Sequence, residues 1–114
     1  MSQSLQISQK QRGSAVALVE LLTECADLPT LSWRISDSDF HADRLNGSGP
    51  RDADPRPVVA AWAAVLGGEP VETRFMFDGE PNLECALETV WRDVRVRICL
   101  SCPVSLLAAE AVLA

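Results

Sequence analysis

From Val71 to Cys102 the chain alternates apolar and polar residues with a period of two, and no other stretch constrains the fold so tightly. A half-buried strand shows one face to a core and the other to water, so successive side chains differ in this way. Val71, Thr73, Phe75 and Phe77 form the first set able to pack, opposed by Glu72, Arg74 and Asp78, with Met76 the one bulky exception. Leu83, Cys85, Leu87, Thr89 and Trp91 form the second, against Glu84 and Glu88. Val94, Val96, Ile98 and Leu100 form the third, alternating with Arg95, Arg97 and Ser101. Three antiparallel strands with one wet face are predicted.

A slip of one residue would turn each apolar set to solvent, so register is constrained by the connections. A two-residue turn at Arg92-Asp93 sets Trp91 against Val94, Thr89 against Val96, Leu87 against Ile98 and Glu88 against Arg97. The last pair is worth roughly 0.2–1 kcal/mol. Between Phe77 and Leu83, the turn residues Asp78, Gly79, Glu80, Pro81 and Asn82 would place Phe75 opposite Cys85.

Upstream, Ser14 is expected to cap a helix running to about Ala26, with Leu18, Leu21, Leu22 and Cys25 on its apolar face, ended by Leu28-Pro29. Leu31, Trp33 and Ile35 alternate as a short strand, and Phe40 with Ala42 suggests a weaker one after a turn at Ser36 to Asp39. Asn46 to Asp54, rich in Gly, Ser, Pro and Asp, reads as a loop. Asp54-Pro55 starts and Gly67-Gly68 stops a helix over 55–66 whose buried stripe is Val58, Val59, Trp62, Val65 and Leu66. Pro103 opens a final, largely apolar helix with Leu106, Leu107, Ala111, Val112 and Leu113. The fold class predicted is α+β: two layers, an antiparallel sheet of four to five strands with helices packed on one face. Residues 1–13 are expected as a flexible N-terminal segment and 14–114 as a single α+β domain.

Leu28-Pro29 followed by Trp33 and Ile35, Ala61-Trp62-Ala63 with Leu66-Gly67 closing a helix, and Val94-Arg95-Val96 together carry a resemblance. Over most of 14–100 the chain resembles small uncharacterised α/β proteins of actinobacteria, of the streptomycete type, and of their mobile elements. Nine arginines among ten basic residues, with abundant alanine, agree with a GC-rich coding background. The resemblance implies a fold and brings no catalytic residues with it.

At 114 residues the chain fits one domain, burying about two-thirds of the surface it exposes when unfolded. A net charge of −6 works against general attraction to nucleic acid or anionic membrane, and neither is expected as a partner. Met1 to Gly13 lacks the apolar core of a secretory signal, and no apolar stretch is long enough to span a bilayer. A cytoplasmic location is therefore expected, with the four cysteines as thiols.

Cys99-Leu100-Ser101-Cys102 has the spacing of half a zinc site or of a redox dithiol. Cys25 and Cys85 stand singly, however, and on an unbroken strand Cys99 and Cys102 point to opposite faces. Cys102-Pro103 opens a helix, which could lower the thiol pKa. His41, the one histidine, lies between Asp39 and Asp43, an arrangement a general base can use, but no nucleophile motif or Gly-rich phosphate loop accompanies it. Asp37, Asp39 and Asp43 lack the further ligands, central glycine and closing glutamate of a calcium loop. Arg92, Arg95, Arg97 and Arg74, near Trp91, suggest a basic stripe that Glu72, Glu84 and Glu88 on the same sheet face would neutralise. Trp33, Trp62 and Trp91 fall on predicted apolar faces.

The expectation is a non-enzymatic protein-interaction or regulatory protein, with no cofactor, acting as a homodimer or on another cytoplasmic protein. Leu106, Leu107, Val112 and Leu113 of the apolar final helix are its candidate contact residues. The alternative is a small ligand-binding or zinc-binding domain using Cys99 and Cys102, with His41 as a further polar group.

Overall fold

The computed structural model describes residues 3–36 and 44–107. In chain order the elements are α1 (Gln3–Glu24), β1 (Ser32–Ile35), β2 (Arg44–Ser48), α2 (Arg56–Leu66), β3 (Val71–Phe77), β4 (Glu80–Trp91) and β5 (Val94–Pro103), followed by a 3₁₀ turn at Val104–Leu106. The strands form one sheet in the order β1-β2-β5-β4-β3. Every neighbouring pair is antiparallel except β2 and β5, which run parallel with Leu45 beside Val96. The sheet is therefore mixed, and the α+β architecture with helices packed on it holds.

Both helices lie on one face. Ala17 and Leu21 of α1 and Cys25 just past its end, spaced by four residues, meet Val59, Trp62 and Leu66 of α2 and the strand residues Leu45, Cys85, Leu87, Val94, Val96, Ile98 and Leu100 in one buried cluster. Trp33 and Trp62 pack edge to face with centroids 5.4 Å apart, and the Trp62 Nε1–H donates to the Pro29 carbonyl at 3.0 Å. The β4–β5 register agrees with the sequence, from Trp91 beside Val94 through Glu88 beside Arg97. Its turn places Arg92 at φ 51° and Asp93 at φ 66°, the left-handed conformation that a two-residue hairpin turn requires even without glycine.

Several expectations are corrected. The helix expected to start at Ser14 begins at Gln3, and Ser14 is a fully buried residue inside it rather than its cap. The stretch expected as loop from Asn46 holds most of β2. Gly47 there fits closely, since a Cβ would sit 3.1 Å from the Trp33 ring across the strand pair. Third, the β3–β4 turn is the tight Asp78-Gly79 pair, so Phe75 lies opposite Asn82 and Glu72 opposite Cys85. Neighbours in register share a face, which inverts β3: Glu72, Arg74 and Met76 lie on the helix side, while Val71, Thr73, Phe75 and Phe77 lie on the other.

The fourth concerns the end of the chain. Leu107 is only 4% exposed and packs with Leu83 and Cys102, so it belongs to this chain's own core rather than to a partner-facing surface. Leu106 remains exposed, and Val112 and Leu113 lie outside the described residues. The helix over 55–66 is present, with the Asp54 carboxylate accepting the Arg56 backbone N–H at 3.0 Å, but Val65 is exposed rather than part of its buried stripe. Leu22 is likewise exposed on α1.

Candidate functional site

With two helices on one face, the other face of the sheet is left without a covering element among the described residues. Register decides what it displays. Arg34 of β1, Asn46 of β2, Arg97 of β5 and Glu88 of β4 stand in one row across four strands. The next row brings Arg44, Arg95 and Val90 together. Towards β3 the same face carries Glu84, Ala86, Val71 and Thr73. Val71 and Val90 are each 60% exposed and Phe77 58%, so this face carries apolar groups among its charges.

Two hollows lie side by side on this face. The first, about 260 Å³, is lined by Arg44, Arg95, Arg97, Glu88 and Val90, with Thr89 and Val96 beneath. The second, about 350 Å³, is lined by Glu69, Glu84, Glu88, Val71, Thr73 and Ala86, with Arg97 at its margin. One is therefore mainly basic and the other mainly acidic. Glu88 and Arg97 belong to both and form the ridge between them, the Arg97 Nε–H donating to Glu88 Oε1 at 3.0 Å. The Glu88 side chain keeps 72% of its surface. The Nε of Arg44, at the basic hollow, is buried and finds no acceptor among the described residues.

Arg51 closes one end of the same face. It reaches from the 49–55 connection to Ser101 Oγ at 3.1 Å, to the Asn82 side-chain oxygen, and over the Phe77 ring at 4.9 Å from its centroid. At the other end Arg92 leaves the sheet altogether. It stacks on Trp91 at 4.3 Å and binds Glu20 and Glu24 of α1 at 2.5 and 2.6 Å.

The basic stripe expected from Arg92, Arg95, Arg97 and Arg74 is thus redistributed. Arg92 serves the hairpin's attachment to α1, Arg74 lies on the helix side opposite Leu83, and Arg34 and Arg44 take their places beside Arg95 and Arg97. Glu72 also leaves the neutralising set, standing opposite Cys85 on the helix side. Sequence reasoning missed Arg34 and Arg44 because their positions depend on the parallel pairing of β2 with β5.

Cys99 lies on the uncovered face and donates its S–H to Glu84 Oε1 at 3.1 Å, whereas Cys102 is buried on the helix side. The two thiols therefore cannot share a metal ion, and among the described residues no group of three potential ligands forms. All four cysteines are free thiols, and burial pushes each of them above the ordinary value. For Cys99 the hydrogen bond to Glu84 adds to that effect. They are held as protonated, weakly nucleophilic groups, without the lowering expected had the Pro103 helix acted on Cys102. Asp37, Asp39, His41 and Asp43 lie outside the described residues. Trp62 is buried and Trp33 and Trp91 half-buried, as their apolar positions predict.

No helix among the described residues is long and apolar enough to cross a membrane. Comparison with protein-family models, with curated proteins and with solved structures finds no match for this chain.

Proposed function

We propose that this chain is a non-enzymatic protein-interaction or regulatory protein that works through the uncovered face of its sheet, as a homodimer or against another cytoplasmic protein. The observation that carries the reading is the pair of valines, Val71 and Val90, held more than half exposed among ordered charges on that face. A protein interface joins apolar contact with a polar frame that fixes register, and this surface has both. Around Val90 the face is built on β4 and β5, whose opposite side is the core, so little ordering is needed on contact there. Four protonated thiols agree with a reducing compartment and with a role that does not use them as nucleophiles.

The surface proposed differs from the C-terminal residues the sequence suggested. Leu107 already has its partners in Leu83 and Cys102, and the sheet face offers an ordered surface on which apolar groups and both signs of charge stand together. A photo-crosslinking side chain placed at Val90, or at Val19 on the exposed side of α1, tests this directly in cells that express the chain. Adducts from position 90 and none from position 19 are expected. Equal yields from both positions, or none from position 90, would overturn the reading.

A further inference from the structure

We infer that the occupant of the uncovered sheet face is a second copy of this chain, seated so that the basic hollow of each copy covers the acidic hollow of the other. The inference rests on the reading of that face as the contact surface and adds the identity of the partner. A two-fold dimer is isologous: if one patch of a protomer contacts a second patch, the second must contact the first. Few surfaces meet that condition by charge, because a uniformly basic or acidic face repels its own copy.

This face meets it. Arg44 and Arg95 line one hollow and Glu69 and Glu84 the other, with the Glu88–Arg97 pair between them. A two-fold axis lying in the plane of contact and passing over that pair exchanges the two hollows. Arg44 and Arg95 of each protomer then meet Glu69 and Glu84 of its partner, and the two Glu88–Arg97 pairs lie together at the axis. The apolar groups follow the same rule, since Val90 walls the basic hollow and Val71 the acidic one. The exchange lays each Val90 on a Val71. Arg44, whose Nε finds no acceptor among the described residues, is one of the two arginines brought to an acidic wall.

The area is of the right order. Five strands at about 4.8 Å and some seven residues at about 3.3 Å give roughly 550 Å² of flat sheet. That is about two-thirds of the roughly 800 Å² per partner of an ordinary stable interface, before counting side-chain relief. A net charge of −6 on each copy opposes approach at long range, but at physiological salt this repulsion is screened beyond about 8 Å, while pairs inside the contact are not. Charge complementarity therefore acts where the two hollows touch and sets the register.

Two charge-reversed variants test the proposal by sedimentation and native mass spectrometry of the full chain: Arg44→Glu with Arg95→Glu, and Glu69→Arg with Glu84→Arg. The parent chain is expected as a dimer. Each variant alone should be monomeric at the same concentration, its dimer weakened by about a hundredfold or more, and an equimolar mixture should give the mixed dimer. Circular dichroism of each variant checks that the fold is kept, and the mixed dimer shows it independently, since a misfolded chain could not restore assembly. A parent chain that stays monomeric up to high micromolar concentration would overturn the self-pairing while leaving the face open to another protein. A dimer that survives both reversals would overturn the self-pairing and the choice of face together.

Discussion

Strand β4 is bordered by two antiparallel ladders that differ in almost every physical respect. On one side β5 matches it from Asn82 to Trp91, and Cys85, Leu87, Val94, Val96, Ile98 and Leu100 of the two strands are buried in the core shared with α1 and α2. On the other side β3 is paired from Val71 to Phe77, yet only Phe75 on it is even half-buried. The inner ladder's hairpin is tied to α1 by Arg92, while the outer ladder ends in an Asp-Gly turn with open space around Gly79 among the described residues. Backbone pairing alone thus gives a strand its place, but a covering layer is needed before alternation says which way its side chains face. Among the described residues the outer ladder has that cover on neither side, and its apolar set turns to the face where a second copy is proposed to lie.

The largest expected contrast between the ladders is in side-chain truncation. Leu87→Ala removes a fully buried group and should cost about 2–5 kcal/mol, whereas Phe75→Ala should cost less than half as much, both read from chemical denaturation. Equal costs would mean that β3 is covered in solution by something more than its own chain provides, and dilution would then lower the cost of Phe75→Ala.

A second test uses pH. The sheet's three thiols, Cys85, Cys99 and Cys102, all belong to the inner ladder, and each is pushed up by burial from an ordinary value of 9.0. Above that value the unfolded chain releases thiol protons that the native chain retains, so stability falls as pH rises; below it these groups add no pH dependence. The melting temperature should decline progressively above pH 9.0, and replacing Cys85 and Cys102 by alanine should flatten that decline while lowering the melting temperature at neutral pH. An unchanged slope would show that the thiols ionise as readily in the native chain as in the unfolded one.

The smallest effects are at the two turns, and they should have opposite signs. Gly79 sits at φ 80° with open space around a would-be Cβ, so Gly79→Ala carries conformational strain alone, about 1 kcal/mol of destabilisation. Asp93 already bears such strain at φ 66°, and Asp93→Gly should recover up to about 1 kcal/mol. Loss of stability in both variants would mean that Asp93 holds the hairpin by more than its backbone.

How much could be read beforehand follows the same division. The β4–β5 register was legible because both strands bury one face and a two-residue turn leaves a single way to align Leu87 with Ile98. β3 was misread because Val71, Phe75 and Phe77 have the pattern of a core face, and the tight turn at Asp78-Gly79, rather than a five-residue one, reverses which side they take. β2 was concealed by Asn46, Gly47 and Ser48, residues that favour loops, since the fit of Gly47 against Trp33 is a property of the assembled pair. The candidate surface was half legible: Arg95, Arg97, Glu84 and Glu88 lie on strands that local pattern can place. Arg34 and Arg44 reach it through a pairing between distant parts of the chain.

That distant pairing also governs the order in which the fold can assemble. During synthesis the ribosome releases β1 and β2 early, but the strand that docks β2 into the sheet, with Val96 beside Leu45, emerges roughly fifty residues later. Until then α1 and the β1–β2 pair have an apolar surface with no sheet to receive it, a state open to chaperones and to neighbouring nascent chains. The β3–β4–β5 meander needs only local closures, so it is expected to form first and serve as the template on which the earlier-made half settles. Mutations that slow the meander would therefore show themselves as aggregation of the half that was already made.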